Sequence, residues 1–244
     1  MCANYASKAQ PPPASTQNVS PQRKKRPIVW RALRWGFLLL AGFHVFCVVI
    51  LLYLRFLPPL FTVVQLQRKA ERILDGNWSG GEMTWKNADE ISPQVLYAVV
   101  AAEDTRFYEH NGIDFDALEE AMGENRKNVR GGSTLTQQLV KNLFFTTHRS
   151  YLRKGLEFTI APMADFLLSK DRVLELYVNV VEWGDGIYGI EAAAQHHYHK
   201  SAQTLSRDQA ARLAACLPDP LHRKPQGMNR YSRIIQRRMR AMGH

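Results

Sequence analysis

The pattern of apolar and polar positions divides the chain into one unbroken apolar run and, after it, a series of one-sided helical patterns. The run is Gly36 to Leu54, GFLLLAGFHVFCVVILLYL, nineteen residues with no formal charge. As a helix rising ~1.5 Å per residue it is roughly 28 Å long, close to the ~30 Å hydrocarbon core of a bilayer. A cleavable leader would have an apolar core of about 7–15 residues ending in a small-x-small site. Here the run is longer and YLRFLPPLF follows it, so it predicts a retained membrane anchor. His44 and Cys47 fall inside the span and are expected to pack as ordinary neutral side chains.

Pro58-Pro59 interrupts helix, Val63 to Leu74 resumes it, and residues 75–91 read as a loop. Ser92 followed by Pro93 predicts an N-cap with proline at the first helical position. Val95, Leu96, Val99 and Val100 then mark one apolar face. Residues 133–145, 151–161 and 169–179 give three further helices, the last with Val173, Leu174, Tyr177 and Val178 on one side. Ser206 to Gln209 is a capping box that opens a small-residue helix stopping before Pro218. Convincing alternating strands are absent, so the expected fold is mainly α. The divisions are a tail over 1–35, the anchor over 36–54, a membrane-proximal linker over 55–83 and a folded domain over 84–244.

Charge changes this picture in one respect. The formal net charge is +10, but residues 1–35 contain seven basic residues and no acidic one, leaving +3 for the other 209 residues. The basic excess therefore reads as a signal beside the anchor, not as a nucleic-acid surface. Basic residues preceding the span predict a cytoplasmic tail and an outward-facing domain. Residues 1–27, with PPP and QRKKRP, are expected to be disordered. The cysteines, at 2, 47 and 216, are distributed so that the outward part holds only Cys216, which reads as a small core residue.

Three stretches carry candidate chemistry. Glu103, seven residues after Leu96 on the apolar stripe, is expected to point inward, where desolvation raises a carboxyl's pKa toward the range useful for proton transfer. The bland alternative is a solvated helix end, which the helix dipole disfavours for carboxylates. Phe107 and His110 would follow on the same face if the helix persists. In GGSTLTQQLVKN (131–142), Thr134, Gln138 and Lys141 would align hydroxyl, amide and ammonium behind a tight glycine turn, suiting an anionic, oxygen-rich ligand. The alternative is a polar solvated face. Arg153, Lys154 and Glu157 read either as a surface ion pair or as phosphate-binding cations beside a second carboxylate. Glu175 is expected to be structural. His196, His197 and His199 lack metal-ligand spacing, and no metal site is expected from them.

EDTRFYEHNGID (103–114), GGSTLTQQLVKNLF (131–144), RKGLE (153–157), KDRVLELYVN (170–179) and EAAAQHHYHKSAQTLSRDQAARLAACLPDP (191–220) resemble, in this order and spacing, glycosyltransferase family 51. That domain is also the transglycosylase half of class A penicillin-binding proteins; no SxxK occurs here, so the transpeptidase half is not expected. The resemblance implies a mainly α, lysozyme-like lobe with a smaller membrane-proximal jaw behind the anchor. It implies an inverting enzyme that polymerises lipid II into β-1,4-linked glycan at the plasma (inner) membrane, releasing polyprenyl pyrophosphate. Glu103 would be the general base and Glu157 the second carboxylate. Asp104, Phe107, His110, Thr134, Gln138, Lys141, Asn142, Arg153 and Lys154 would line donor and acceptor sites. Family members typically act with a divalent cation (Mg or Mn) and no organic cofactor. Implied partners are lipid II, the growing strand, the membrane and other wall-synthesis or division proteins. A lysozyme-like hydrolase also needs two carboxylates but not the cations. A non-catalytic adaptor would need neither.

Two departures from the family pattern stand out. His199 occupies a position where the family usually has glycine, which puts a local turn in doubt. Pro162 lies five residues after Glu157 and is expected to kink or end that helix.

Overall fold

The computed structural model describes residues 28–76, 83–122 and 132–244. The readings of a disordered tail over 1–27, of residues 77–82 in the loop and of Gly131 lie outside the described residues. The chain divides into two units, Met1–Ala41 and Gly42–His244. The described part of the first is helical, with Trp30, Leu33, Trp35 and Phe37 exposed. It is the start of α1 (Ile28–Leu54), a 27-residue helix long and apolar enough to cross a membrane.

The second unit is mainly helical: α2 (Val63–Leu74), α3 (Pro93–Glu103), α4 (Phe115–Met122), α5 (Leu135–Phe144), α6 (Tyr151–Leu167), α7 (Lys170–Val180), α8 (Ile190–Tyr198), α9 (Arg207–Ala214) and α10 (Asn229–Ala241). Between α7 and α8 a short antiparallel hairpin pairs β1 (Glu182–Gly184) with β2 (Ile187–Tyr188). The sequence pattern did not show it, because strands this short have no alternation to read. Helix starts follow local chemistry: Thr62 with Gln65, Thr134 with Gln137 and Ser206 with Gln209 form reciprocal capping boxes. Ser92 departs from that pattern, since its hydroxyl donates to Leu205 O (2.9 Å) and ties the start of α3 to the segment before α9.

α3 is the central helix. Ala98, Val99, Val100, Ala101 and Ala102 are all buried, and α3 packs on α9, α10 and α7. Its alanines meet a partner that is equally small, since Ala210, Ala211 and Ala214 of α9 are buried as well. Close helix approach follows from small residues on both sides, and a larger side chain here would cost ~1–3 kcal/mol through overpacking. This packing fixes the end of α3, where Glu103 stands.

The last turns of α1 belong to the same core. Cys47, Leu51 and Leu54 are buried, Phe43 and Phe46 meet Phe145 and Phe144, and His44 Nε2 lies 2.9 Å from Thr159 Oγ1. Arg172 donates to Leu54 O and Leu57 O (2.8 Å each), and Arg55 to Leu167 O (3.2 Å). α6 thus runs beside the end of the apolar helix.

Two local departures are accommodated by their surroundings. Pro162 does not end α6, which continues to Leu167. The missing backbone donor is outweighed by the buried side of the helix, Ile160, Ala161 and Ala164. The turn at His199 survives without glycine: His199 is the C-cap of α8 at φ 52°, its N–H bonded to Gln195 O. A left-handed non-glycine residue costs roughly 1–2 kcal/mol, which this cap partly offsets.

Candidate functional site

Glu103 is the last residue of α3, half-buried at the wall of a cleft of about 710 Å³. The helix stops there, so Phe107 and His110 do not continue its face. Gln138 of α5 donates to Glu103 Oε2 (2.9 Å), and the Tyr177 hydroxyl of α7 donates to Gln138 Oε1 (2.9 Å). Tyr177 is wholly buried; burial first, and the charge of Glu103 second, hold its hydroxyl well above the ordinary tyrosine value. It remains a donor at any pH the protein meets, so the amide of Gln138 is held with its N–H toward Glu103.

The second carboxylate has a different setting. Glu157, 2% exposed on α6, is paired with Arg153 one turn earlier and with Lys154 Nζ at 3.2 Å. Arg153 Nε also donates to His148 O (2.8 Å), and Lys154 Nζ to Ser133 Oγ (2.8 Å). Side chains of Arg153 and Glu157 are only 17% and 3% exposed, which corrects the surface-pair alternative. Lys141 lies within electrostatic reach of both Glu103 and Glu157. Burial lowers its ammonium below the ordinary lysine value, while Glu157 foremost and Glu103 after it push back, and Arg153 and Lys154 lower it further. Among these described residues, two carboxylates and three cations sum to a net positive charge.

The remaining residues singled out from sequence build the frame around these two poles. Asp104 accepts from His110 Nε2 (3.0 and 3.1 Å) and from the Leu135 amide (2.9 Å), placing a carboxylate at the N-terminus of α5, where the helix dipole favours it. Phe107 is fully buried with Lys170 Nζ 4.8 Å from its ring centroid. Thr134 is the N-cap of α5 and is buried; its hydroxyl accepts from Gln137 N and donates to Gly112 O (2.7 Å). It therefore does not share an open polar column with Gln138 and Lys141. Asn142 is buried on α5. Gly112 is at φ +84°, and a Cβ there would come within 2.6 Å of Ala161 O, so glycine is required for this loop to close on α6. Arg106 fastens the same loop through Asp114 (2.9 and 2.5 Å).

Ser133, Arg223, Arg230 and Tyr231 also line the cleft, and sequence patterning singled out none of them. Tyr177 was read only as part of an apolar face. A buried tyrosine hydroxyl needs a partner, and that requirement was the available signal. Glu175 is structural as expected, held by Arg172 (2.7 Å) and the Ala88 amide (3.1 Å). Cys216 is buried, which pushes its thiol up to about 11 and leaves it inert at neutral pH.

A carboxylate at a cleft wall, steered by an amide and set against a partly buried cationic cluster, is an arrangement for moving a proton beside an anionic group. The pattern that defines the Transglycosylase family matches residues 71–243, and the chain belongs to that family. A biosynthetic peptidoglycan transglycosylase of Pseudomonas fluorescens Pf-5 is 46% identical over 192 residues, covering 78% of this chain and 77% of that protein. Proteins of the same name from Pseudomonas syringae pv. tomato DC3000 (43% identical; 80% and 85% covered) and Chromohalobacter salexigens (39%; 87% and 94%) are similar along most of their length.

Proposed function

We propose that this peptidoglycan glycosyltransferase of cell-wall synthesis joins lipid II units into β-1,4-linked glycan, with Glu103 as general base. The observation that carries this is the placement of Arg153, Lys154 and Glu157 on α6, the helix that runs beside the end of the apolar anchor, close to the cleft that holds Glu103. Ser133 links them, lining the cleft while accepting from Lys154. A lipid-linked pyrophosphate would reach such cations from the membrane side.

Glu103 takes the proton from the 4-hydroxyl of the acceptor N-acetylglucosamine. That oxygen forms a bond to the anomeric carbon of the donor N-acetylmuramic acid. The bond from that carbon to the pyrophosphate oxygen breaks, and its electron pair leaves with polyprenyl pyrophosphate. Attack from the opposite face inverts the centre. Lys141, Arg153 and Lys154 stabilise the charge growing on the leaving group, and Glu157 holds the two α6 cations in place. Asp104, His110 and Thr134 act by fixing the loop and helix that frame the cleft. The side chains do not fit a divalent cation caged by the protein: among the described residues no three His, Cys, Asp or Glu side chains stand close enough to hold an ion, and no step above uses one.

α1 anchors the enzyme with its N-terminus cytoplasmic and the folded unit outside. Exposed apolar side chains beside the anchor's exit, Phe56, Leu60 and Phe61, and Tyr151, Leu152 and Phe166 on α6, support contact with lipid. A reporter fused after His244 is expected to be active only outside the cytoplasm; cytoplasmic activity would overturn this orientation.

The test of function is incubation of the purified full-length protein with labelled lipid II. Polymer together with polyprenyl pyrophosphate is expected. Shortened glycan would instead indicate a hydrolase, and no change an adaptor.

A further inference from the structure

The basic excess outside the tail is not spread evenly. Residues 221–244 contain seven basic residues and no acidic one, so the apparent near-neutrality of the domain conceals a second concentration of charge. The structure shows where it goes. On α10, Arg230, Arg233, Arg237 and Arg240 recur at helical spacing and are all exposed, forming one stripe about 15 Å long. The opposite side of the helix, Ser232, Ile235 and Met239, is buried against the domain. Arg238 turns inward, donating to Ala101 O (3.3 Å) near the end of α3. Asp208, the carboxylate on neighbouring α9, is already engaged by Arg212 (2.5 Å) and Gln236 (2.9 Å).

The four arginines line a groove of about 420 Å³, and Arg230 also lines the cleft that contains Glu103. The groove therefore adjoins the cleft at Arg230 and runs along α10. Its chemistry is that of a track for a chain bearing repeated carboxylates, since guanidinium forks suit carboxylates geometrically as well as electrostatically. A membrane-surface helix would keep an apolar face free for insertion; the apolar face of α10 is spent on the core.

Resting on the lipid II reading, we propose that this arginine stripe binds the free carboxylates of the peptide stems on the glycan strand as it extends from the cleft.

The test uses the full-length protein in nanodiscs of zwitterionic lipid and two probes. One is uncross-linked glycan strands with free stem carboxylates, the other the same strands with those carboxylates amidated. Wild type is expected to bind the free-carboxylate strands about tenfold more tightly, a preference lost in ~0.5 M salt. The variant Arg233→Gln/Arg237→Gln/Arg240→Gln should melt like wild type and lose the preference. Equal binding of both probes by a wild-type preparation that polymerises lipid II would overturn the proposal alone. A preparation that forms no polymer would remove the reading beneath it as well. An effect of the variant seen only when anionic lipid is added to the nanodisc would assign the stripe to the membrane instead, and overturn the proposal too.

Discussion

Glu103 and Glu157 are the same residue type in two very different settings, and the contrast supports the different roles proposed for them. Glu103 ends a helix at a cleft wall, half-buried, with the neutral amide of Gln138 at 2.9 Å. Glu157 lies inside a helix, 2% exposed, and is paired with two cations. A carboxylate that must take a proton needs access to its substrate, which a place at the cleft wall gives Glu103. One that must hold cations in place needs burial and strong pairing. The setting of each residue suits one role better than the other.

The comparison can be sharpened first at Arg153, where the largest effect outside the two carboxylates themselves is expected. Arg153→Ala removes a cation from the Glu157 pole and leaves that buried carboxylate with Lys154 as its direct partner and Lys141 at longer range. If Arg153 stabilises the departing pyrophosphate, the barrier should rise by ~2–4 kcal/mol, roughly thirtyfold to several hundredfold in turnover. Because the pair is buried, the melting temperature should fall too, unlike the loss of a surface pair. Arg153→Lys should recover only part of the rate, since an ammonium cannot reproduce the fork to both Glu157 and His148 O. An alanine variant with near wild-type turnover would dissolve the distinction between the two poles.

A smaller effect is expected at the Glu103 pole from Tyr177→Phe. It removes one hydroxyl and keeps the ring that fills the core, so the amide of Gln138 is free to turn. The loss of one neutral hydrogen bond, ~0.5–1.5 kcal/mol, sets a slowing of up to about tenfold. Measured KM and kcat should show it mainly in kcat, because Tyr177 is buried and touches Gln138, not solvent.

The smallest effect joins the poles. Lys141 loses its proton below the ordinary lysine value because it is buried, so turnover should begin to fall at a pH below 10.5. Its folded pKa lies below its unfolded one, so in that same window the unfolded chain binds more protons and this group's contribution to stability rises with pH. Rate and stability should therefore move in opposite directions. Lys141→Arg keeps the charge, should shift the alkaline limb upward in a pH–rate profile, and should change the neutral rate only a few-fold. Coincident limbs in the two proteins would remove Lys141 from the chemistry.

Features set by neighbours in sequence were the legible ones. The helix over Val63–Leu74 follows from its period alone, and the start of α9 from the capping box at Ser206. Features set by distant neighbours were not. Pro162 obeys a local rule against helix, yet the buried side of α6 overrides it. Thr134 has the spacing of a polar stripe, but its position at the cap commits its hydroxyl to Gly112, 22 residues away in sequence. The stripe on α10 was hidden for another reason: a net charge summed over a whole domain cancels the very asymmetry that matters.

The central claim is the division of labour between the two carboxylates, and Glu103→Gln measured beside Glu157→Gln tests it most directly. Both retain shape and lose charge; lipid II turnover and melting temperature are measured for each. Glu103→Gln should lose turnover by ~10²–10⁴-fold, the range of general-base catalysis, and melt like wild type. Glu157→Gln should lower the melting temperature, because removing one partner of a buried ion cluster costs ~3 kcal/mol, somewhat less here since Lys154 is partly exposed. A Glu103→Gln protein that keeps more than about a tenth of wild-type turnover, or one that unfolds as readily as Glu157→Gln, would contradict the account.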